Sequence, residues 1–286
     1  MPAKCIFSYS DKPDISIVVP SFDGSRKGNV EALVEQLKLQ TYKSIEIILS
    51  IGESPNGHAR NVGVEIARGK WLVFIDDDVT LEQDTLLTNL IEPLNRPLNG
   101  PDKIGMTGPS QMVSPDAGRF QRWCEKQIPR SYSPIVDDLT DSDMVTHMCL
   151  AMPKALFLTV GKESDWLLAG TDPDLRFRVR QAGYRVVVIP QTWAYHPAPK
   201  NMATLIRFSY KKGSYSAWQH RFARDLAYDS PDGHVGNFKA KTTLMYRVAR
   251  KFVRIICELA GMRPLGMIYD LSYITGYCHG LVRRWS

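Results

Sequence analysis

The sequence predicts an α/β fold, with a Rossmann-like, mostly parallel central sheet and a C-terminal helical appendage. Between residues 15 and 75, short β-branched runs alternate with segments whose apolar residues recur at helical spacing. After residue 199, arginine, lysine and aromatic residues become dense and the apolar spacing is helical. A chain of 286 residues is long enough for both parts. We therefore expect one α/β domain over residues 1–200 and the appendage over residues 201–286.

Three buried strands open the predicted sheet. Residues 15–19, 45–49 and 71–75 are apolar runs, which are typical of strands buried on both faces. A helix capped by Asn29 is expected after the first run, and a helix over residues 61–67 after the second. This alternation favours parallel strands with right-handed crossovers and a ligand beyond their carboxyl ends.

Two further strands are predicted at residues 144–150 and 185–189. The helix between them should begin near Pro173 and stop at Gly183. Because proline cannot donate to a sheet ladder, we expect the sheet to end near Pro190.

Composition excludes several classes of protein. Five cysteines without CxxC spacing indicate neither a disulfide framework nor a zinc site, and they favour a reducing compartment. We find no apolar run of signal-peptide or membrane-spanning length, so we expect a cytoplasmic protein, or one peripheral at the inner face of the membrane. The net charge of +6 favours anionic partners. Nucleic acid is not expected, because no recognition motif accompanies the basic residues.

Three adjacent carboxylates, Asp76, Asp77 and Asp78, follow the third apolar run directly. A divalent cation would relieve their mutual repulsion, and hard oxygen ligands suit Mg2+ or Mn2+, which in turn would bind a diphosphate. The alternative is a helix start, in which Asp78 lies near the helix N-terminus and Thr80 and Gln83 form a capping box. Three acids after a buried strand favour the metal.

Four motifs in order resemble family 2 inverting glycosyltransferases with the GT-A fold, from about residue 15 to residue 196. The first is the apolar strand that ends in Pro20, with the polar segment after it. The others are Ala-Arg-Asn-x-Gly at residues 59–63, Ala-x-Gly at 67–69 and Asp-x-Asp at 76–78. The resemblance implies that residues 1–200 form a nucleotide-sugar-binding and catalytic domain.

The resemblance also implies the reaction, the cofactor and the residues around the donor. The donor would be a nucleoside-diphosphate sugar, the acceptor a hydroxyl of a glycan, a lipid-linked molecule or a small molecule, and the cation Mn2+ or Mg2+. Asp78 would ligate the cation. Arg60 would lie near the nucleotide, although without the family it reads equally well as a solvated helix charge. The residues expected to bind the nucleotide sugar are Pro20, Ser21, Phe22, Asp23, Glu53, Arg60, Asp76 and Asp77.

One of these residues, Glu53, stands at a departure from the family pattern. Many relatives carry paired aspartates after the second strand, whereas residues 50–54 here read Ser-Ile-Gly-Glu-Ser. Glu53 is expected to hydrogen-bond the base edge in their place, and a surface role unrelated to the nucleotide is the alternative.

Asp172 maps onto the family's catalytic base, because residues 170–175 resemble its Glu-Asp-x-Asp-Leu segment with Thr171 in place of the first acid. A carboxylate suits removal of the acceptor's hydroxyl proton. Asp172 before Pro173 is also typical of a helix N-cap, and Thr171 with Asp174 would make a rival capping box. Both roles are compatible with one residue.

His196 lies in a Trp-Ala-Tyr-His-Pro segment after the last predicted strand. Similar proteins place a histidine near the metal or diphosphate, so His196 is the second expected metal ligand. A hydrogen-bonded structural histidine is the alternative.

The appendage contains an amphipathic segment over residues 244–259. Its apolar residues recur at helical spacing, and arginine and lysine lie opposite or beside them. We expect the apolar face to cover the catalytic domain or a partner subunit. The alternative is peripheral contact with an anionic membrane and a lipid-linked acceptor.

Other whole-protein hypotheses remain open at this point. A sugar nucleotidyltransferase would use a glycine-rich, basic phosphate loop after the first strand, and residues 21–27 are a poor match to such a loop. Gly24, Arg26 and Lys27 nevertheless keep this alternative open. A non-catalytic nucleotide-sugar-binding or scaffold protein on the same fold is the other alternative. A polymerase is disfavoured, because the sequence shows no Gln-x-x-Arg-Trp segment.

Overall fold

The computed structural model describes residues 2–96, 103–227 and 243–285. The strands are β1 (Ala3–Ser8), β2 (Ile15–Ser21), β3 (Ile45–Ile51), β4 (Trp71–Ile75), β5 (Ile104–Met112), β6 (Thr140–Asp141), β7 (Cys149–Pro153) and β8 (Arg185–Tyr195). The helices of the α/β part are α1 (Asn29–Lys38), α2 (Asn56–Ile66), α3 (Leu86–Asn95), α4 (Arg119–Gln127), α5 (Lys154–Thr159) and α6 (Thr171–Gln181). Those of the appendage are α7 (Met202–Phe222), α8 (Leu244–Ala260) and α9 (Pro264–Val282).

The eight strands form one sheet in the order β1-β3-β2-β4-β7-β5-β8-β6. β2 pairs in parallel with β3 and β4, and β5 pairs in parallel with β8. The antiparallel pairs involve β1, β7 and β6, so the other five strands point in one direction. The predicted α/β fold with a mostly parallel central sheet is confirmed.

The core consists of two apolar layers, one on each face of the sheet. On one face, α1 and α3 bury Leu33, Leu37 and Leu90. On the other face, α2, α5 and α6 pack on the sheet through buried apolar side chains that include Phe157 and Val179. Both faces of β2, β3 and β4 are therefore buried, which is why their sequences are continuously apolar.

Several predicted boundaries differ from the structure. Asn29 is the first residue of α1 and follows Gly28, so it does not cap the helix. The expected strand at residues 144–150 begins only at Cys149, since Met144 and Val145 lie in the segment that leads to it. β1 and β5 were not predicted, because neither is an uninterrupted apolar run.

β8 continues past Pro190 because the strand bulges there. Between the pairs Gly108 with Val188 and Ser110 with Trp193, β5 advances by two residues while β8 advances by five. The extra residues include the proline, whose missing N–H is tolerated in a bulge. Pairing then resumes up to Tyr195, so the prediction that the sheet ends near Pro190 is wrong.

In the appendage, α7 and α9 cross at close range through glycines. A Cβ on Gly213 would lie 2.0 Å from the carbonyl oxygen of Tyr273, and one on Gly276 would lie 2.1 Å from that of Tyr210. α9 also packs on the α/β part, where Leu265 and Tyr269 join a cluster with Cys124 of α4. Within the described residues, we find no helix that is both long and apolar enough to cross a membrane.

Gly63 allows α2 to pack on β2, since a Cβ at this position would lie 2.5 Å from Val18 Cγ1 and 2.9 Å from Ser50 Oγ. We predict that Gly63→Ser lowers the free energy of unfolding by about 1–3 kcal/mol, because overpacking forces neighbouring groups to move. Urea denaturation measures the change. Gly118→Ser is the matched control, because that glycine has open surroundings at a helix N-cap that serine favours. Equal stability of the two variants would contradict the prediction.

Candidate active site

The candidate site lies at the edge of the sheet where the parallel strands end. Asp76 follows the last residue of β4, and His196 follows the last residue of β8. Ser21 ends the neighbouring strand β2, and Glu53 lies two residues beyond β3. This is the edge at which the alternation of strands and helices predicts a ligand.

Arg60 of α2 is a buried residue of this site. Only 3% of its side chain is exposed, and its Nη2 donates to Asp76 Oδ1 at 2.9 Å. The interpretation of Arg60 as a solvated helix charge is therefore wrong. Its Nε is buried and has no hydrogen-bond partner among the described residues. A buried arginine with an unused donor beside a carboxylate cluster is suited to an anionic ligand.

Arg26 connects the other two carboxylates of the cluster. Its guanidinium bonds Asp77 and lies 2.7 Å from Asp78 Oδ2, although half of the arginine side chain is exposed. Arg26 lies in the turn between β2 and α1. One half-exposed arginine thus relieves the repulsion that a metal ion would otherwise relieve.

Asp78 and His196 are brought together by the end of β8. Thr80 and Tyr195 exchange two backbone hydrogen bonds of 3.0 Å, so the chain just after Asp78 is paired with the residue just before His196. His196 Nε2 lies 3.6 Å from Asp78 Oδ1.

The surroundings of Asp78 fit a cation site better than a helix start. Burial raises the pKa of Asp78, although His196 and Arg26 lie close to it. Its Oδ1 is buried, and no donor among the described residues bonds it. The capping-box alternative is wrong, because α3 begins only at Leu86 and Gln83 binds the backbone of β8 instead. One carboxylate oxygen and one imidazole are a partial ligand set for Mn2+ or Mg2+, which take their remaining ligands from water or a diphosphate.

Within the described chain, no group of three or more His, Cys, Asp or Glu side chains is arranged to hold a metal ion. This agrees with the contacts of the cluster, because Arg60 bonds Asp76 and Arg26 bonds Asp77 and Asp78. Arg26 would have to withdraw before a metal ion and a diphosphate could share these carboxylates.

Asp172 lies in the first turn of α6 and is bonded by His147. Its Oδ1 accepts from the backbone N–H of His147 at 2.8 Å and lies 2.5 Å from the imidazole Nδ1. The N-cap of α6 is Gly170, and no side chain caps the helix, so both capping interpretations, by Asp172 and by Thr171 with Asp174, are wrong. The Asp172 side chain is 36% exposed. Because Oδ1 is engaged, Oδ2 is left for a ligand.

His147 lies between two carboxylates. Its Nε2 makes an ion pair of 2.5 Å with Glu163 Oε1, and both side chains are buried. Burial and the charge of Arg60 would lower the pKa of His147, but Glu163 and Asp172 outweigh them and raise it to about 9. His147 is therefore an imidazolium at neutral pH. Burial would raise the pKa of Asp172, but His147, Arg176 and Arg60 hold it well below its usual range.

Asn61 fixes the segment that carries Glu163. Its Nδ2 donates to the Glu163 carbonyl at 2.8 Å and to Asp165 Oδ1 at 2.7 Å, and its Oδ1 accepts from the Glu163 N–H at 3.1 Å. Arg60 and Asn61 are neighbours on α2, yet one contacts the carboxylates after β4 and the other the segment that holds His147. The Ala-Arg-Asn-x-Gly segment thus connects both halves of the site.

The residues expected around the nucleotide line the turn after β2 and the end of β3. Ser21 Oγ accepts from the Gly24 N–H at 3.1 Å. Asp23 accepts from the backbone of the following turn, and these hydrogen bonds lower its pKa. Phe22 is 86% exposed, whereas Pro20 is buried. Glu53 makes an ion pair of 3.1 Å with His58 Nε2.

Sequence reasoning missed His147, Glu163 and the contact of Arg26 with the aspartates. His147 is separated by 25 residues from Asp172 and by 16 from Glu163, and neither it nor Glu163 lies in a recognisable motif. Arg26 was considered only as part of a phosphate loop. Its reach across the strand ends depends on the conformation of the turn, which short-range spacing does not reveal.

A model of the family described as glycosyl transferase family 2 matches residues 54–149, which include α2, the aspartate cluster and His147. Over these residues the chain is similar to glycosyltransferase family 2, as the sequence motifs predict. The succinoglycan biosynthesis protein ExoM of Rhizobium meliloti is 27% identical over 190 residues, which cover 64% of this chain and 57% of ExoM. The chain thus spans little more than half the length of that relative.

The chain also resembles a solved structure over nearly its whole length. This is the mannosyltransferase PcManGT from Pyrobaculum calidifontis in complex with GDP-Man and Mn2+, with a TM-score of 0.58 and 14% identity. The match covers 99% of this chain and 91% of PcManGT. The likeness shows the GT-A fold, and it includes the region of the appendage.

His147 should contribute a pH-dependent part of the stability. We predict that His147→Gln lowers the free energy of unfolding at pH 6 by about 3 kcal/mol, because Glu163 is left buried without a charged partner. Since folding raises the pKa of His147 from 6.5 to about 9, its contribution is complete below pH 6.5 and is lost as the pH rises through 9. The difference between wild type and variant should therefore shrink over that range in urea titrations.

His58→Gln is the matched control for this experiment, because the His58 side chain is 38% exposed. We expect His58→Gln to lower the free energy of unfolding by less than about 1 kcal/mol, as for other exposed ion pairs. A His147→Gln deficit that is the same at pH 6 and pH 10 would contradict the assignment of an imidazolium.

Proposed function

We propose that the chain transfers a sugar from a nucleoside-diphosphate sugar to a hydroxyl acceptor, with inversion at the anomeric carbon. The main support for the proposal is that two sets of carboxylates lie at one sheet edge, one in contact with arginines and the other with a histidine. The Asp76 to Asp78 cluster contacts one buried and one half-exposed arginine, and Asp172 presents one free oxygen from a fixed position. An inverting transfer needs one group for the departing diphosphate and one for the acceptor.

Asp172 is the catalytic base in this mechanism. The acceptor oxygen attacks the anomeric carbon while its proton passes to Asp172 Oδ2. The bond between that carbon and the diphosphate oxygen breaks on the opposite face, and the diphosphate leaves with the bonding electrons. His147 holds Oδ1 through two donors and so keeps the orientation of the carboxylate fixed during the transfer.

The departing diphosphate requires positive charge. Arg60 supplies a buried cation with an unpaired Nε, and Arg26 supplies a second cation that can move from the aspartates to a phosphate oxygen. Asp78 and His196 are the proposed metal ligands, and Mn2+ or Mg2+ bound there would stabilise negative charge on the diphosphate. Asp76 and Asp77 would contact the donor's ribose or the ligand shell of the ion. The complex of PcManGT with GDP-Man and Mn2+ supports a donor and a cation of these classes.

The nucleoside is proposed to lie against the turn after β2. Phe22 offers an exposed ring for stacking, with Pro20, Ser21 and Asp23 beside it, and Glu53 lies at the end of the neighbouring strand. The relation to ExoM, named as a succinoglycan biosynthesis protein, supports a glycan acceptor. We propose residues 1–200 as the catalytic domain and residues 201–286 as its appendage.

Removing the proposed base should separate binding from turnover. We predict that Asp172→Asn lowers kcat by about a hundredfold or more, because the amide cannot accept the proton, while affinity for the donor changes little. Release of nucleoside diphosphate from a panel of sugar nucleotides with Mn2+ measures the rate, and calorimetry measures binding. Asp11→Asn is the control, because Asp11 is exposed and lies between β1 and β2, at the opposite end of β2 from the site. Unchanged turnover in Asp172→Asn would exclude this residue as the base.

Arg26 should compete with a metal ion for the aspartates. We predict that, in the absence of nucleotide, Arg26→Gln lowers the Mn2+ concentration needed for half-maximal stabilisation by about threefold or more, because a competing cation at Asp77 and Asp78 is removed. Thermal-shift titration gives this concentration. Lys27→Gln, at the adjacent exposed position, is the matched control. The competition is ruled out if both variants require the same Mn2+ concentration as wild type.

A further inference from the structure

The amphipathic helix α8 presents its apolar face to solvent. Large side chains on this face are 45–80% exposed, and they recur at intervals of three and four residues. We call this surface the α8 apolar face. It consists of Met245, Val248, Phe252, Val253, Ile256 and Leu259.

The polar side of α8 faces the protein. Lys251 Nζ lies 2.7 Å from Asp270 Oδ1, and Arg254 Nε lies 2.9 Å from Asp270 Oδ2. Asp270 belongs to α9 and is fully buried. Because a buried carboxylate requires its cationic partners, these ion pairs fix the rotation of α8 about its axis. The expectation that the apolar face covers the catalytic domain is therefore wrong.

We propose that the α8 apolar face docks on a membrane surface that contains anionic lipids, with the helix lying in the plane of the interface. A contiguous apolar face of this size that is exposed to solvent marks an interaction site. An exposed apolar helix face bordered by aromatic and basic side chains is suited to the boundary between headgroups and acyl chains.

Charge favours a membrane over a second copy of the chain. Residues 201–286 contain 14 lysines and arginines and five acidic residues. Two copies that met through α8 would bring together two segments that each carry a positive net charge, whereas an anionic bilayer attracts such a segment. Arg250 and the half-exposed Tyr246 lie at the border of the apolar face, with the guanidinium 5.9 Å from the ring centroid. Aromatic and basic side chains at such a border are suited to the headgroup region.

The proposal concerns binding alone and is independent of sugar transfer. The test uses the full chain and sedimentation with vesicles of phosphatidylcholine, with or without phosphatidylglycerol. We expect wild type to bind the anionic vesicles, and Phe252→Gln with Ile256→Gln to reduce the partition coefficient about tenfold or more, since two large apolar groups can no longer insert. Glutamine retains helix propensity, and an unchanged unfolding temperature shows that the fold is intact.

The matched control is Leu39→Gln with Leu158→Gln, two exposed leucines of the α/β part. We expect this variant to bind as wild type does. Arg250→Glu should weaken binding to anionic vesicles, and high salt should weaken the binding of wild type. Failure of wild type to bind anionic vesicles, or equal binding by the α8 double variant, would overturn the proposal. So would a dimer, measured by light scattering, that the α8 substitutions abolish.

Discussion

The arrangement of the site depends on one buried cation, the imidazolium of His147 between Glu163 and Asp172. A buried carboxylate such as Glu163 is costly unless it is paired, so the ion pair determines where the chain before α6 can lie. The same imidazolium takes one oxygen of Asp172 and leaves the other free. Asn61 then connects this array to α2, and through Arg60 to the aspartates after β4. Removal of His147 would disturb both the base and the segment that supports it.

The two carboxylates assigned to chemistry differ because their surroundings differ. At Asp78, burial raises the pKa although cations lie close, so a metal ion would satisfy an oxygen that lacks a hydrogen-bond donor. At Asp172, a cation in direct contact lowers the pKa and keeps the group ionised. Carboxyl groups whose surroundings shift their pKa values in opposite directions can take different roles in one site, here the proposed binding of a cation and the proposed removal of a proton. A carboxylate with a low pKa is a weak base, so it would take the proton only as the acceptor oxygen forms its bond to the anomeric carbon and becomes positively charged.

Sequence predicted what is encoded locally. Asp76 to Asp78 were found because they follow a continuous apolar strand, and the family 2 resemblance was confirmed. Arg60 was identified from its motif, but its partner was not, because that contact depends on how α2 packs over the sheet. β5 escaped prediction because its residues include glycine, proline, serine and threonine, yet it is almost wholly buried by its neighbours. The sequence showed that α8 is amphipathic, but it did not show which side of the helix faces the protein. That orientation depends on the ion pairs of its basic side with Asp270, which lies on α9.

The bulge in β8 allows the chain length before His196 to vary while this proposed metal ligand keeps its direction. Hydrogen bonds restart after the bulge, and the His196 N–H then donates to the Met112 carbonyl at 2.9 Å. Because side chains alternate along a strand, a single insertion or deletion at residues 189–192 can be absorbed in the bulge without reversing the direction of His196. Length variation here is therefore buffered, whereas the same change between residues 193 and 196 would turn the imidazole away from Asp78. Related chains should tolerate gaps in the first stretch and keep a constant length in the second.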